Sequence, residues 1–303
     1  MTTRLVQIVH EEHGRRVALV NDQELHLLST HRSVYQFAVA ALQDGVPLRE
    51  LLSEDISGIV LDYDEVHALR SGWSFLPSFD HPSELGRCHV SGCGNAHTGT
   101  PEGRPIAPPW FAKGNGAHLR AHGEALTIPA FAAGGAEEIE VAGVWVVGQD
   151  GKPFFVGLTP GNEFCDPAME AADPRMRTHG KLRNCAIGPE LVLDAQYADL
   201  HGSVRIEREG KPIWNREVQT GSPHTQFNLA ELEETLFRYD AHRVPGDAHV
   251  HYLGGSVCSY TDGIRLEQGD QVVVEWQELA GRCATSSSRL RGTLQHTHDV
   301  HVT

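Results

Sequence analysis

Glu138 and Glu140 are separated by one residue, Ile139, at the head of an apolar run. In a strand, side chains two apart leave the same face about 6–7 Å from each other, so both carboxylates can close on one hard cation. Taken alone the pair is a weak signal and reads more readily as a solvated acidic strand end, of which Glu137 is another member. A third carboxylate changes the chemistry. Glu163 stands in the turn-like run Thr159-Pro160-Gly161-Asn162-Glu163-Phe164, just past the strand expected to pair with the first, where a hairpin can return it beside the other two. Three carboxylates with water completing the shell suit octahedral Mg²⁺ or Mn²⁺ rather than zinc. Lys181 follows in His179-Gly180-Lys181-Leu182-Arg183 and reads by itself as readily as a surface lysine as an active-site amine. His249-Val250-His251 has strand spacing that could bind a metal. With only Asp247 as a close acidic partner, it reads as an ordinary strand. His296, His298 and His301 belong to a C-terminal tail.

The elements that must position these groups follow from patterning. A β-branched run Leu5–Val9 and a second strand Arg16–Val20 form a hairpin across His13-Gly14. Ser33 and Gln36 are spaced as a capping box ahead of Val34, Phe37, Ala38, Ala41 and Leu42, and Gly45 stops that helix. A shorter helix is expected over Pro47–Leu52. A turn-rich linker, Arg70–Pro82, then puts a boundary near residue 75, giving a small α+β domain over 1–75 and a β-rich domain over 76–303. In the second domain Gln149-Asp150-Gly151 joins Val141–Val147 to Pro153–Val156, and Glu209-Gly210-Lys211 joins Val204–Arg208 to Ile213–Arg216. One further helix is expected over Leu229–Tyr239 with Asn228 as its N-cap.

Composition bounds the function. The 303 residues carry 25 Lys and Arg against 40 Asp and Glu, a formal charge of −15, which removes the phosphate attraction that nucleic-acid binding needs. No apolar run approaches the roughly 18 residues of a membrane span, and Leu5–Val9 is too short for a signal-peptide core, so the expectation is a soluble, cytoplasmic protein. The cysteines at 88, 93, 165, 185, 258 and 283 include no Cys-x-x-Cys pair and read as reduced thiols.

Taken together and in order, Glu138-x-Glu140, Gly161-Asn162-Glu163, Lys181 and Ile187-Gly188-Pro189-Glu190-Leu191 resemble the metal and lysine motifs of the fumarylacetoacetate hydrolase superfamily. The likeness spans roughly residues 85–295, with Val244-Pro245-Gly246-Asp247 and Leu253-Gly254-Gly255-Ser256 similar to that family's late turn and substrate loop. Gly-Asn-Glu in place of Asn-Asp, the Lys-Leu-Arg-x-Cys run and the added N-terminal unit resemble its 2-keto-3-deoxy-sugar-acid dehydratase branch.

The resemblance implies an α+β, β-rich fold, a mixed β-sandwich roll, with Mg²⁺ or Mn²⁺ on Glu138, Glu140 and Glu163, in a homodimer or homotetramer. It makes Lys181 the catalytic lysine and places Lys113, Gly255 and Ser256 against the substrate. The activity it implies is dehydration of a 2-keto-3-deoxy-pentonate to 2-oxoglutarate semialdehyde in non-phosphorylative pentose catabolism. Glu102 and His97 are the candidates for protonating the leaving hydroxyl. The alternative is a carbon-carbon hydrolase of acylpyruvates or 2,4-diketo-3-deoxy sugar acids, but the family's water-activating His-x-x-Glu is absent, since Thr98, Gly99 and Thr100 follow His97. A third reading, a metal-holding sugar-acid-binding protein without catalysis, sits against an intact lysine and all three carboxylates.

Overall fold

The computed structural model describes residues 2–94, 97, 103–193 and 195–279 in full, and the backbone of 281–289. The described strands close into two sheets, one of thirteen strands and one of five. The larger runs from Ile56–Asp62 through Glu24–Leu28, Gly14–Asn21, Arg4–His10, Glu190–Leu193, Pro153–Asn162, Ile139–Val147 and Ala248–Tyr252 to Cys88–Cys93 and Trp110–Asn115. The smaller joins Lys211–Thr220, Leu200–Arg208, Gln271–Trp276, Gly281–Arg289 and Ala125–Ile128. The chain is therefore β-rich, as its patterning implies. Among the described residues no helix is long and apolar enough to cross a membrane.

Ile139–Val147 lies inside the larger sheet and is buried along its whole length. One face, with Trp145 and Val147, packs on Val204, Ile206 and Trp276 of the smaller sheet. The other, with Val144 and Val146, packs on the side of Phe37 and Ala41 from the helix Val34–Asp44. A strand covered on both faces reads as a continuous apolar run, which is why Val141–Val147 carries no polar alternation. Its hairpin partner, Pro153–Asn162, extends six residues past the expected end at Val156, with a register shift between Val144 and Trp145.

The first 75 residues begin with the expected hairpin, Val6 opposite Ala18. Ser33 accepts from the Gln36 amide at 3.1 Å, and Gly45 closes the helix at φ 67° in the left-handed region. The Gln36 side chain bonds the Arg32 amide rather than that of Ser33, so the box is only half made. The second helix runs Leu48–Asp55, and the late one Leu229–Phe237, where Asn228 and Glu231 complete a capping box.

Two further strands, Glu24–Leu28 and Ile56–Asp62, join this hairpin without a turn glycine to announce them. The turn before the first uses Asp22 at φ 52° and has no glycine to mark it. The linker expected over Arg70–Pro82 is not a loose connector. Trp73–Phe75 pairs with Arg4–His10, and Ser78, Phe79, Asp80 and His81 are buried. Buried Gln7 fastens the segment by donating to the Pro77 carbonyl and to Asp80 while accepting from the Val34 amide. Arg4–His10 also pairs with Glu190–Leu193, so the N-terminal strands continue the sheet that carries the candidate site.

Candidate metal and lysine site

The hairpin register sets the carboxylates. Ile139 stands opposite Asn162, and the Glu163 amide donates to the Glu138 carbonyl at 2.9 Å, so Glu138 and Glu163 face each other at the open end of the hairpin. Glu140 lies one strand period further in. One oxygen from each of the three comes within 4.8 Å of the others, the only such cluster of potential ligands among the described residues.

Lys181 is delivered by a short helix, Arg177–Lys181, held by Asp166. The Asp166 amide donates to the Gly180 carbonyl at 3.0 Å, its carboxylate caps the helix Pro167–Ala172, and Arg183 donates to the same carboxylate at 3.2 Å. A side chain at Gly180 would meet the Asp166 carbonyl at 2.8 Å, so the helix can approach this closely only without one. Lys181 Nζ then donates to Glu138 at 2.7 Å and to Glu163 at 2.5 Å, 4.9 Å from the centre of the Phe111 ring. Phe111 and Lys113 both come from the strand Trp110–Asn115, whose register with Cys88–Cys93 shifts at Lys113.

Lys113 does not line an open cleft, as a substrate contact would require. It is fully buried, and its ammonium donates to Glu163 and to the carbonyls of Phe164 and Lys181, both at 2.8 Å. Three donors meeting three acceptors leave none for a ligand. The sequence position of Lys113 was informative, but its depth depends on the path of Cys88–Cys93 and could not be read locally.

The electrostatics fit a cation. Burial, then repulsion from Glu163 and Glu138, pushes the Glu140 carboxyl well above its ordinary value. Burial also raises Glu163, to about 7, against the pull of Lys113 and Lys181. Glu138 is brought down to about 2, because Lys181 and its hydrogen bonds outweigh the burial that raises it. For Lys181, burial works against the charge, but Glu138 and Glu163 together hold its pKa well above the ordinary value. The nearby amine thus satisfies two carboxylates, while Glu140 accepts from the Gly254 amide at 2.7 Å. Three clustered oxygen donors, one of them in no direct ion pair among the described residues, match the hard-cation chemistry expected of Mg²⁺ or Mn²⁺.

Several supporting contacts had no sequence signal. Cys165 donates its thiol to Glu138 at 3.0 Å, and the Trp276 indole donates to the Glu140 carbonyl at 3.2 Å from the smaller sheet. Glu137 points away from the cluster, accepts from the Ser259 amide and hydroxyl at 2.6 and 2.8 Å, and is raised to about 7 by burial. It thereby anchors the loop that carries Gly255 and Ser256.

A Cβ at Gly255 would lie 2.6 Å from the Ile139 carbonyl and 3.0 Å from Glu140 Cγ. Gly255→Val must therefore displace Glu140, and we expect the Mg²⁺ dissociation constant to rise by about 10- to 100-fold, as for lost support around a metal ligand. Calorimetric titration checks this; unchanged affinity in a folded variant would show that Gly255 does not set the position of Glu140.

Ser256 is exposed and, with His97, lines a cleft of about 560 Å³ to which none of Glu138, Glu140, Glu163 or Lys181 contributes. His97 donates through Nε2 to the Gly254 carbonyl at 3.4 Å. Glu102, the other candidate acid, lies outside the described residues, as do His296, His298 and His301. His249 and His251 are buried strand residues away from the cluster, with His251 against the Ser91 hydroxyl at 2.8 Å.

No family model matches the chain, and no curated protein does either. Solved structures do. A 2-keto-3-deoxy-D-arabinonate dehydratase, in its apo form and complexed with magnesium and 2,5-dioxopentanoate, aligns with a TM-score of 0.73 at 17% identity, covering 95% of this chain and 100% of that one. A 2-hydroxyhepta-2,4-diene-1,7-dioate isomerase from Mycobacterium marinum aligns at 0.63 and 17% identity, covering 96% of this chain and 100% of its own. A 5-carboxymethyl-2-hydroxymuconate delta-isomerase from Mycobacterium smegmatis gives 0.64 and 16%, covering 95% and 100%. The likeness is one of fold: a fumarylacetoacetate-hydrolase-like architecture shared with a dehydratase and with isomerases.

Proposed function

We propose that this chain is a divalent-metal-dependent hydro-lyase converting a 2-keto-3-deoxy-pentonate, such as 2-keto-3-deoxy-D-arabinonate, to 2-oxoglutarate semialdehyde. The observation that carries the reading is the convergence of Glu138, Glu140 and Glu163 with the buried amine of Lys181 on a fold shared with a magnesium-complexed dehydratase of that substrate class. Glu138, Glu140 and Glu163 would hold the ion, which when bound supplies Lewis acidity at a 2-keto oxygen and so acidifies C3.

The remaining steps belong to the chain. Lys181 Nζ is held protonated by the two carboxylates it touches, and whatever competes for them loosens that hold. Its neutral amine is then the base for the C3 proton. Phe111 and the buried Lys113 wall this amine off on one side, which keeps water from competing for the proton. Departure of the C4 hydroxyl needs an acid, a role we assign to Glu102 or His97. Burial lowers the His97 pKa, so a neutral ring would steady the departing hydroxyl through its N–H while the proton itself would come from a carboxyl such as Glu102.

The deciding assay supplies Mg²⁺ and either C4 epimer of 2-keto-3-deoxy-pentonate, with coupled detection of 2-oxoglutarate semialdehyde. Glu163→Gln, which keeps the volume beside Lys113, is expected to lower turnover by at least about 100-fold through loss of a ligand charge. Cleavage of a 2,4-diketo acid to pyruvate, with no dehydration of either epimer, would replace this reading with the hydrolase.

A further inference from the structure

Lys181 is delivered by an element that cannot hold itself in place. The helix Arg177–Lys181 has five residues, too few to be stable alone, and the only residues it buries are Gly180 and Lys181. No apolar side chain of the helix anchors it, and Leu182, just past its end, is exposed. Its place is set instead by polar contacts, which fall on four successive carbonyls. The His179 and Leu182 oxygens accept from Arg183 Nη1, both at 2.9 Å, the Gly180 oxygen accepts from the Asp166 amide at 3.0 Å, and the Lys181 oxygen accepts from Lys113 Nζ at 2.8 Å.

Arg183 is the one charged side chain of this bracket that touches none of the three glutamates among the described contacts. It is buried, and its Nη2 donates at 3.2 Å to the carboxylate of Asp166, which is buried as well. Asp166 follows Glu163 by three residues and is fixed in turn by the amides of Ala133 and Met169, at 3.0 and 3.1 Å. One guanidinium therefore ties the backbone on both sides of Lys181 to the end of the hairpin that carries Glu163. Paired hydrogen bonds between Ala136 and Cys165, at 2.9 and 3.0 Å, continue the link to the strand end that carries Glu138.

We infer that Arg183, held by Asp166, is a positioning residue: it sets where the Lys181 ammonium stands against Glu138 and Glu163 and takes no part in holding an ion. The inference rests on the reading of Lys181 as the amine that shares those carboxylates with the metal, and adds the residue that fixes its reach.

Arg183→Lys keeps a positive charge opposite Asp166, so no buried carboxylate loses its partner, but one ammonium cannot span a carboxylate and two carbonyls as the planar fork does. The intact protein, Arg183→Lys, Lys181→Met and the double variant are compared by calorimetric Mg²⁺ titration and by steady-state kinetics on 2-keto-3-deoxy-pentonate. Arg183→Lys is expected to lower kcat by about 10- to 100-fold with KM within about threefold, the signature of a misplaced reacting group. It should also tighten Mg²⁺ binding by about two- to tenfold, because a displaced ammonium competes less for Glu138 and Glu163. In the Lys181→Met background the same substitution should move neither quantity by more than about twofold, since the group it positions is gone.

Equal losses in both backgrounds, unchanged kcat, or Mg²⁺ binding that weakens or stays the same in Arg183→Lys overturns the inference, and Arg183 then supports the fold as a whole. If the intact protein dehydrates neither epimer but the Mg²⁺ pattern holds, the dehydratase reading falls and the positioning role stands. Absence of Mg²⁺ binding by the intact protein overturns both.

Discussion

Lys181→Met is expected to lower turnover by about 10²- to 10⁴-fold, the range for removal of a general base, and at the same time to tighten Mg²⁺ binding. The two effects have one cause. The ammonium donates to Glu138 and Glu163 at 2.7 and 2.5 Å, and so competes with any cation for those carboxylates. Taking the charge away removes the competitor along with the base. Lys181→Arg is not expected to rescue turnover, because a guanidinium keeps its charge at any pH the fold survives and cannot take the C3 proton. Steady-state kinetics on 2-keto-3-deoxy-pentonate and calorimetric Mg²⁺ titration read the two effects separately. Turnover within about tenfold of the parent protein would remove Lys181 as the base, and weaker Mg²⁺ binding in a folded variant would show that its ammonium does not oppose the ion.

How far such a site can be read from sequence depends on how local its determinants are. Glu138, Glu140 and Glu163 were legible because strand period and hairpin return are short-range geometry: Glu163 follows directly after the strand that pairs with Ile139–Val147. Lys181 was legible through its motif. Its partners were not, since they depend on long-range packing. Trp276 comes from the other sheet, Cys165 reaches Glu138 only once the hairpin has closed, and Lys113 is sealed beneath Glu163 by a strand some fifty residues earlier in the chain.

The fold divides in the same way. The capped helices Val34–Asp44 and Leu229–Phe237 announce themselves through Ser33 and Asn228, whose side chains bond the neighbouring backbone. The edge strand Ile56–Asp62 lies mostly exposed, with Ile59 and Val60 open to solvent, and lacks the one-sided burial that produces alternation. Trp73–Phe75 was hidden in a turn-rich stretch because three residues are too few to show a period.

Lys113→Met should destabilise the fold by about 3–5 kcal/mol, the cost of breaking a buried ion pair from one side. Methionine nearly conserves the volume, so little of this comes from a cavity. What is lost is a fully buried ammonium whose three donors serve Glu163 and the carbonyls of Phe164 and Lys181. Those two carbonyls belong to the segments that carry Glu163 and Lys181, so one side chain fixes both ends of the reactive cluster. If the pair is the source of the loss, removing its other half should cancel part of it. Lys113→Met with Glu163→Leu removes both charges of this pair and leaves Lys181 on Glu138, and its loss in urea denaturation should be smaller than the sum of the two single losses. Additive losses would show that the two side chains contribute independently, and Lys113 would then be a packing residue rather than the counterion that holds Glu163 in place.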